Sequence, residues 1–444
     1  MGAPARTRHL AAAISRLVGS DQWRLRLWDG TTVEPAPPAR FTIVLREREA
    51  LDTLLSGLPE RAFGRAFISG QIDVEPLEPF LEAMERASSM HLIAGWPRLA
   101  VAAAFAGGRA GRGHPNDAEA RLQGRRHSRS RDAAAVRHHY DLPPEFYALW
   151  LDRTLTYSCA YFERPDVDLD TAQHTKLDLV CRKLRLQPGE RLLDIGCGWG
   201  SLALHAVEHY GVSALGITLS PRQVAFAERR AAQRGLAGRA EFRLADYRDP
   251  LGVQFDAVAS VGMIEHVGRR LLHSYADSIQ HALRPGGRAL VHGITCSPRQ
   301  VINRTSFVNS FVFPDGELED VSRVVRSLEE SRLEVRDVES LREHYVLTLR
   351  HWVRRLEARW DEAVAIAGYQ RARVWRLYMS ASIVAFRTAR IGVHQTLAVR
   401  ATADGRSGLP LTRGDWYRQH PVATGLGRVD VELPGVATRV PTRS

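Results

Sequence analysis

Lysine is almost absent from this chain. Its 444 residues carry 61 lysines and arginines together, yet only Lys176 and Lys183 are lysines. We attribute that bias to compositional skew rather than to an arginine-specific partner. Cysteine is scarce too. Cys159, Cys181, Cys197 and Cys296 show no C-x-x-C spacing, which speaks against a cysteine-based zinc site or a thioredoxin-like pair, and no metal is expected. Long apolar runs are missing. The longest, "LAVAAAFAGG" at 99–108, falls far short of the ~20 residues of a membrane span. The opening twenty residues lack the apolar core of a secretion signal, and no internal repeat is visible. The expectation is a reduced, cytoplasmic protein that, where it meets a membrane, lies on the inner face rather than crossing it.

What is present is ordinary globular material, 44% hydrophobic and 25% charged with a formal charge of +11, so a sizeable core is affordable and an anionic partner is compatible. Residues 1–106 mix helical patterns with short strands ("WRLRLWDG", "FTIVL") and read as a smaller N-terminal domain associated with lipid or membrane. Residues 107–131, "GGRAGRGHPNDAEARLQGRRHSRSR", are rich in Gly, Arg and Ser and read as a flexible basic linker. From 132 to 400 strands and helices alternate, and 401–444 is a tail.

Candidate strands are 191–196, 213–218, 240–245, 255–261 and 288–294, with helical spacing at 201–210, 221–234 and 269–284. Such alternation predicts a doubly wound α/β sheet, completed by strands near 333–340 and 389–400. Between these lies a long helical stretch, 341–386, carrying Tyr345, Trp352, Trp360, Tyr369, Trp375 and Tyr378. Aromatics at helical spacing are usually core; here they also suit the wall of an apolar channel.

The first strand runs into Asp194-Ile195-Gly196-Cys197-Gly198-Trp199-Gly200. Glycines there let the chain turn sharply and a ligand approach the backbone. The dinucleotide fingerprint needs G-x-G-x-x-G and an acid about 20 residues on. Ser201 stands where the third glycine belongs, and no acid occurs between Gly211 and Ala227, which argues against NAD. The D-x-G-x-G-x-G form resembles the S-adenosylmethionine loop of class I methyltransferases. Thr218 and Gln223 then have to supply the polar contacts that an acid usually makes.

Further segments are similar to one family, the cyclopropane-fatty-acyl-phospholipid synthases and mycolic-acid methyltransferases: "HHYDLPPEFYALWLDRTLTYSCAYF" (138–162), "GVSALGITLSPRQ", "ADYRD" (245–249), "VGMIEHVG" (261–268), "LVHGI" (290–294), "EHYVLTLRHW" (343–352) and "LTRGDWY" (411–417). "FGRAFISGQIDV" (63–74) resembles, weakly, the N-terminal domain of the longer synthases. The resemblance implies a seven-stranded class I methyltransferase sheet with a helical insertion covering an acyl chain. It also implies a cofactor site of Tyr157, Ser158, Asp194, Gly196, Gly198, Gly200, Thr218, Gln223, Tyr247, Arg248 and Val261, and a bicarbonate ion held by Cys159, Glu265, His292, Ile294 (through its main chain) and Tyr345.

The implied substrate is the cis double bond of a phospholipid acyl chain at a membrane surface. Attack by this weak nucleophile on an electrophilic methyl leaves a carbocation, and loss of a proton from the new methyl closes a cyclopropane. That chemistry needs a dry channel, aromatic faces and an unobtrusive base. Basic residues near lipid headgroups contribute ~1 kcal/mol each. A hydride shift before proton loss gives a methylene- or methyl-branched chain instead, and Pro143-Pro144, where the family often has Gly-Asn, bears on that outcome. An RNA methyltransferase lacks an evident RNA-binding module here, and a non-catalytic lipid binder is disfavoured by the full set of anion-ligand positions, so no nucleic-acid partner is expected. Plainer readings stand beside these: Glu265 as a helix-start acid, His292 as a core histidine, Cys159 as a structural thiol, and Tyr140 with Asp141 as packing or as cover for the cofactor. Oligomeric state is left open, a homo-oligomer being compatible.

Overall fold

The computed structural model describes residues 20–55, 59–89, 118–140, 142–298 and 306–417, with Ala12 and Ser15. The N-terminal unit is a small sheet of β1 (Arg24–Arg26), β2 (Thr32–Val33), β3 (Thr42–Leu45) and β4 (Ile72–Glu75), ordered β2-β1-β3-β4. Helices α1 (Ala50–Leu55), α2 (Pro59–Ile68) and α3 (Leu77–Ser89) accompany it. Alternation in β3 buries Ile43 and Leu45 against Phe67 and Phe80.

Two helices, α4 (Arg129–Tyr140) and α5 (Pro144–Ala148), precede α6 (Leu169–Lys183). Asp168 starts α6 by accepting a hydrogen bond from Thr171 N, 3.0 Å. The alternating part follows as β5 (Arg191–Ile195), α7 (Ser201–Tyr210), β6 (Ser213–Thr218), α8 (Pro221–Gln233), β7 (Ala240–Leu244), β8 (Phe255–Val261), α9 (Ile264–Val267), α10 (Leu272–Ala282) and β9 (Leu283–Cys296). The chain closes with α11 (Phe307–Phe311), α12 (Val321–Glu330), β10 (Glu334–Ser340), α13 (Arg342–Ala358), α14 (Trp360–Ala367), α15 (Tyr369–Arg387) and β11 (Ile391–Val399).

The large sheet has seven strands in the order β10-β11-β9-β8-β5-β6-β7. β11 runs antiparallel to both neighbours, and the other contacts are parallel. This is the class I methyltransferase sheet. The strand order reverses between β5 and β8, so their carboxyl ends open a crevice there. β6 and β8 match the expected strands, the others shift by a few residues at their ends, and the strand expected at 288–294 is the inner half of the longer β9. The long helical stretch divides into α13, α14 and α15, with Gly368 at φ +82 ahead of the last.

The linker expectation needs correction where it can be examined. Residues 107–117 lie outside the described residues. Residues 118–131 are docked: Glu119 pairs with Arg61 and Arg65, Arg131 with Asp315, and Arg126 with Glu317. Composition gave no core for this segment, but ion pairs hold it, with Ala118 buried in the main apolar cluster. The N-terminal unit is likewise held to the sheet domain. Its aromatic core is continuous with that of α13 and α15, and α3 presents Glu78, Glu82 and Glu85 to Arg350, Arg387 and Arg390. Tail residues 401–417 pack through Trp416, with Arg185 to Asp415 at 2.8 Å; 418–444 lie outside the described residues. Among the described residues no helix is long and apolar enough to cross a membrane.

Candidate active site

Two cavities meet at the carboxyl edge of the sheet. The first, about 990 Å³ with its open mouth, is lined by the glycine loop. Gly196, Gly198 and Gly200 all have positive φ, +76, +53 and +84, which explains why side chains are absent from this turn. The three serve different ends. A Cβ on Gly196 would lie 2.6 Å from Met263 Cγ, and one on Gly200 would lie 2.9 Å from Ala227 Cβ. A Cβ on Gly198 would meet nothing within 4 Å, so that glycine presents bare backbone to the cavity.

Of the residues that the resemblance implies for the cofactor, Tyr157, Ser158, Asp194, Gly196, Gly198, Thr218, Gln223, Tyr247 and Val261 line this cavity. Gly200 and Arg248 do not. Gly200 caps α7 behind the loop, and Arg248 ties Asp246 to Asp132 of α4, at 2.6 and 2.9 Å. Thr218 donates to Gln223 Oε1 at 2.6 Å. Asp194 Oδ2 and the Tyr247 hydroxyl are buried and make no hydrogen bond among the described residues. Burial raises the Asp194 carboxyl to about 7, with Lys176 opposing. An open glycine cradle edged by unsatisfied polar atoms fits a polar ligand such as S-adenosylmethionine. Gly198→Ala is therefore expected to weaken S-adenosylmethionine binding by roughly tenfold, with a stability loss held to the ~1–2 kcal/mol of a left-handed alanine. Calorimetric titration and denaturant unfolding would check the two halves, and unchanged affinity would show that the cofactor keeps clear of this backbone.

The second cavity, about 1510 Å³, is largely apolar, walled by Phe307, Val308, Phe313, Leu318, Ala385 and Phe386 among others. It shares Tyr140, Tyr157, Ser158, Gly262 and His266 with the first. Cys159, Glu265, His292, Ile294 and Tyr345 all line it. Sheet register brings part of this set together: Val261 of β8 stands opposite His292 of β9, and His292 opposite Gln395 of β11. Of the aromatics in 341–386, Tyr345 and Tyr378 line the cavity, while Trp352 and Trp375 are core with Trp150. Pro143 and Pro144 start α5, whose Phe146 and Tyr147 anchor in that core. Tyr140 is half-buried and lines both cavities; Asp141 lies outside the described residues.

Glu265 sits on a four-residue helix, but its carboxylate reaches across to accept from Ile294 N at 2.7 Å. Its other oxygen is buried without a hydrogen bond among the described residues. Burial raises its pKa to about 7, against the pull of the Ile294 amide. Gln395 donates its amide to His292 Nδ1 at 3.1 Å, which leaves Nε2 as the ring N–H. Burial holds His292 neutral at ordinary pH. Cys159 is fully buried, burial raises its pKa, and its Sγ contacts Ala160 O and Leu341 O at 3.3 and 3.7 Å. It stays a thiol, which favours the structural reading over a nucleophile.

Sequence reasoning missed the two lysines. Lys183 Nζ donates to Gln395 Oε1 at 2.8 Å and pairs with Glu339, so it fixes the amide that sets the His292 tautomer. Lys176 Nζ donates to Ser158 Oγ at 2.8 Å, between the cavities. Both side chains are nearly inaccessible, 2% and 0% exposed. The visible signal was their rarity in an arginine-rich chain.

The comparisons agree with this geometry. A family model described as mycolic acid cyclopropane synthetase matches residues 127–396. The chain is 39% identical to a probable fatty acid methyltransferase of Pseudomonas putida over 401 residues, 89% of this chain and 96% of the relative. It is 36% identical to the cyclopropane-fatty-acyl-phospholipid synthase of Escherichia coli K12 over 278 residues, 63% of this chain and 71% of that one. Among solved structures, the cyclopropane synthase MmaA2 of Mycobacterium tuberculosis superposes with a TM-score of 0.58 at 33% identity, covering 60% of this chain and 98% of that one. The similarity spans the cavity-forming part of the chain, and the protein belongs to the S-adenosylmethionine-dependent methyltransferases of the cyclopropane and mycolic acid synthase family.

Proposed function

We propose that this enzyme methylates the cis double bond of an unsaturated phospholipid acyl chain and closes it to a cyclopropane, with bicarbonate as the base. The observation that carries the reading is the pair of abutting cavities, one cradled by the glycine loop and one walled by aromatic and aliphatic side chains, with a buried polar cluster in the second. S-adenosylmethionine, when bound in the first cavity, supplies an electrophilic methyl group. Tyr157, Ser158, Gly196, Gly198 and Tyr247 would hold it.

The acyl chain lies in the second cavity, where Phe307, Phe313 and Phe386 keep water from the alkene and from the carbocation that follows methylation. Tyr140, Tyr157 and Tyr378 present aromatic faces at the junction, which suit a transient cation. Glu265, the N–H of His292, the Tyr345 hydroxyl and Cys159 surround the place for bicarbonate. An ionised Glu265 would accept the O–H of the bound anion, which would serve as the base. A second reading ends the same transfer in a methylene- or methyl-branched chain, which a hydride shift before proton loss produces.

The test is incubation of purified protein with S-adenosylmethionine, bicarbonate and vesicles of cis-unsaturated phospholipid, followed by gas chromatography and mass spectrometry of the released acyl chains. Chains heavier by one CH2 and lacking the double bond support the cyclopropane. Chains of that mass that keep an alkene support the branched reading, and no change in any unsaturated lipid overturns both.

A further inference from the structure

Outside both cavity linings, four chemistry-bearing side chains gather where α6 and α7 pack together. His174 and Asp178 are one turn apart on α6, and His205 and His209 one turn apart on α7. The i, i+4 spacing puts each pair on one helix face. The three imidazoles lie close, with centroids 4.9 Å apart for His174–His205, 5.6 Å for His174–His209 and 4.5 Å for His205–His209. One ring nitrogen from each lies within 4.8 Å of the others.

Two observations point to a ligand. His205 is 5% exposed, and its Nε2 makes no hydrogen bond among the described residues, the Asp178 oxygen being 3.9 Å away. His174 Nε2 is also buried without one. Buried ring nitrogens left unsatisfied are costly unless something occupies them.

We propose that His174, His205 and His209 form a site for a borderline divalent transition-metal ion of the zinc type. Three imidazoles are a donor set that such ions accept, with the fourth position left to water. Bonds of 2.0–2.1 Å in a tetrahedral shell set nitrogen separations of about 3.4 Å, so the three rings, whose nitrogens lie within 4.8 Å of one another, would draw together on binding. Asp178 serves beside the ligands rather than as one. Its carboxylate is engaged by Tyr210 at 2.5 Å and Arg182 at 2.8 Å and lies 3.9 Å from His205 Nε2. The sequence reading expected no metal because it weighed cysteine spacing, and these histidines converge only once the helices are packed. The ion would clip α6, which carries Lys176, to α7, whose first residues Ser201 and Leu202 line the cofactor cavity.

The test uses the full chain, freed of any purification tag and stripped with a chelator, titrated with Zn2+ by calorimetry and with Co2+ by visible absorption. The expected result is one ion per chain with a micromolar or tighter Kd, tetrahedral cobalt d–d bands without a thiolate charge-transfer band, and a zinc-dependent rise in melting temperature. His209→Ala, an exposed change that keeps the metal-free melting temperature, is expected to weaken binding at least tenfold, and His174→Gln to do likewise. Absence of one-to-one binding, or binding undiminished in the His174→Gln, His209→Ala double variant, overturns the proposal.

Discussion

Glu265→Gln is expected to lower kcat by about 10²–10³-fold while leaving the S-adenosylmethionine Kd within about twofold, the range that positioned proton-transfer groups typically supply. The residue lines only the apolar cavity, so cofactor binding has no reason to change. Glutamine keeps the volume and can still accept from Ile294 N, so the fold is retained. What is lost is an ionised acceptor for the bicarbonate O–H. The pH profile carries a second signature. With its pKa raised to about 7 by burial, the carboxyl is protonated below that value. At saturating bicarbonate, kcat/KM of the native enzyme therefore climbs with pH through about 7, and the glutamine variant lacks that limb.

Stability moves the other way. Glu265 and Asp194 both bind a proton more tightly folded than unfolded, so their contribution is present at low pH and is lost as pH rises from the usual carboxylate range to about 7. A variant with normal turnover, or one that loses cofactor affinity instead, would remove Glu265 from the anion site.

Lys176→Met is expected to cost roughly 3–5 kcal/mol, the penalty for stripping one sign from a buried charge cluster. Burial lowers the Lys176 pKa to about 8, and Asp152, Cys159 and Asp194 act against that fall. Without the ammonium, Asp194 loses the charge that opposes its rise and Ser158 Oγ loses its donor, while Asp152 keeps its hydrogen bonds from Thr154 and Thr156. Arginine does not rescue, because its planar guanidinium needs room that a pocket built for an ammonium lacks. Denaturant unfolding measures the loss; a change below about 1 kcal/mol would mean that the two acids are neutral in the native state without help from Lys176.

The parts of this enzyme that were legible in the sequence are those written locally. Strand alternation and the glycine run set β5 to β8 and the cradle, because side-chain period and positive φ act over a few residues. The anion cluster became readable through family likeness. Spacing alone left Glu265 a helix-start acid and His292 a core histidine, and only the folded chain brings Ile294 N to Glu265 and Gln395 to His292. The Lys183–Gln395 contact joins residues 212 positions apart, beyond any periodicity. Residues 118–131 misled for a related reason. Their composition offers little that is apolar to bury, and the acids that hold Arg126 and Arg131 lie nearly two hundred residues later in the chain.

The burial of the only two lysines has a practical consequence. The native protein offers acylating reagents no accessible side-chain amine, so modification beyond the amino terminus must wait until α6 leaves its seat. Progress of an N-hydroxysuccinimide ester reaction, followed by intact mass, would thus count opening events of the catalytic core one molecule at a time.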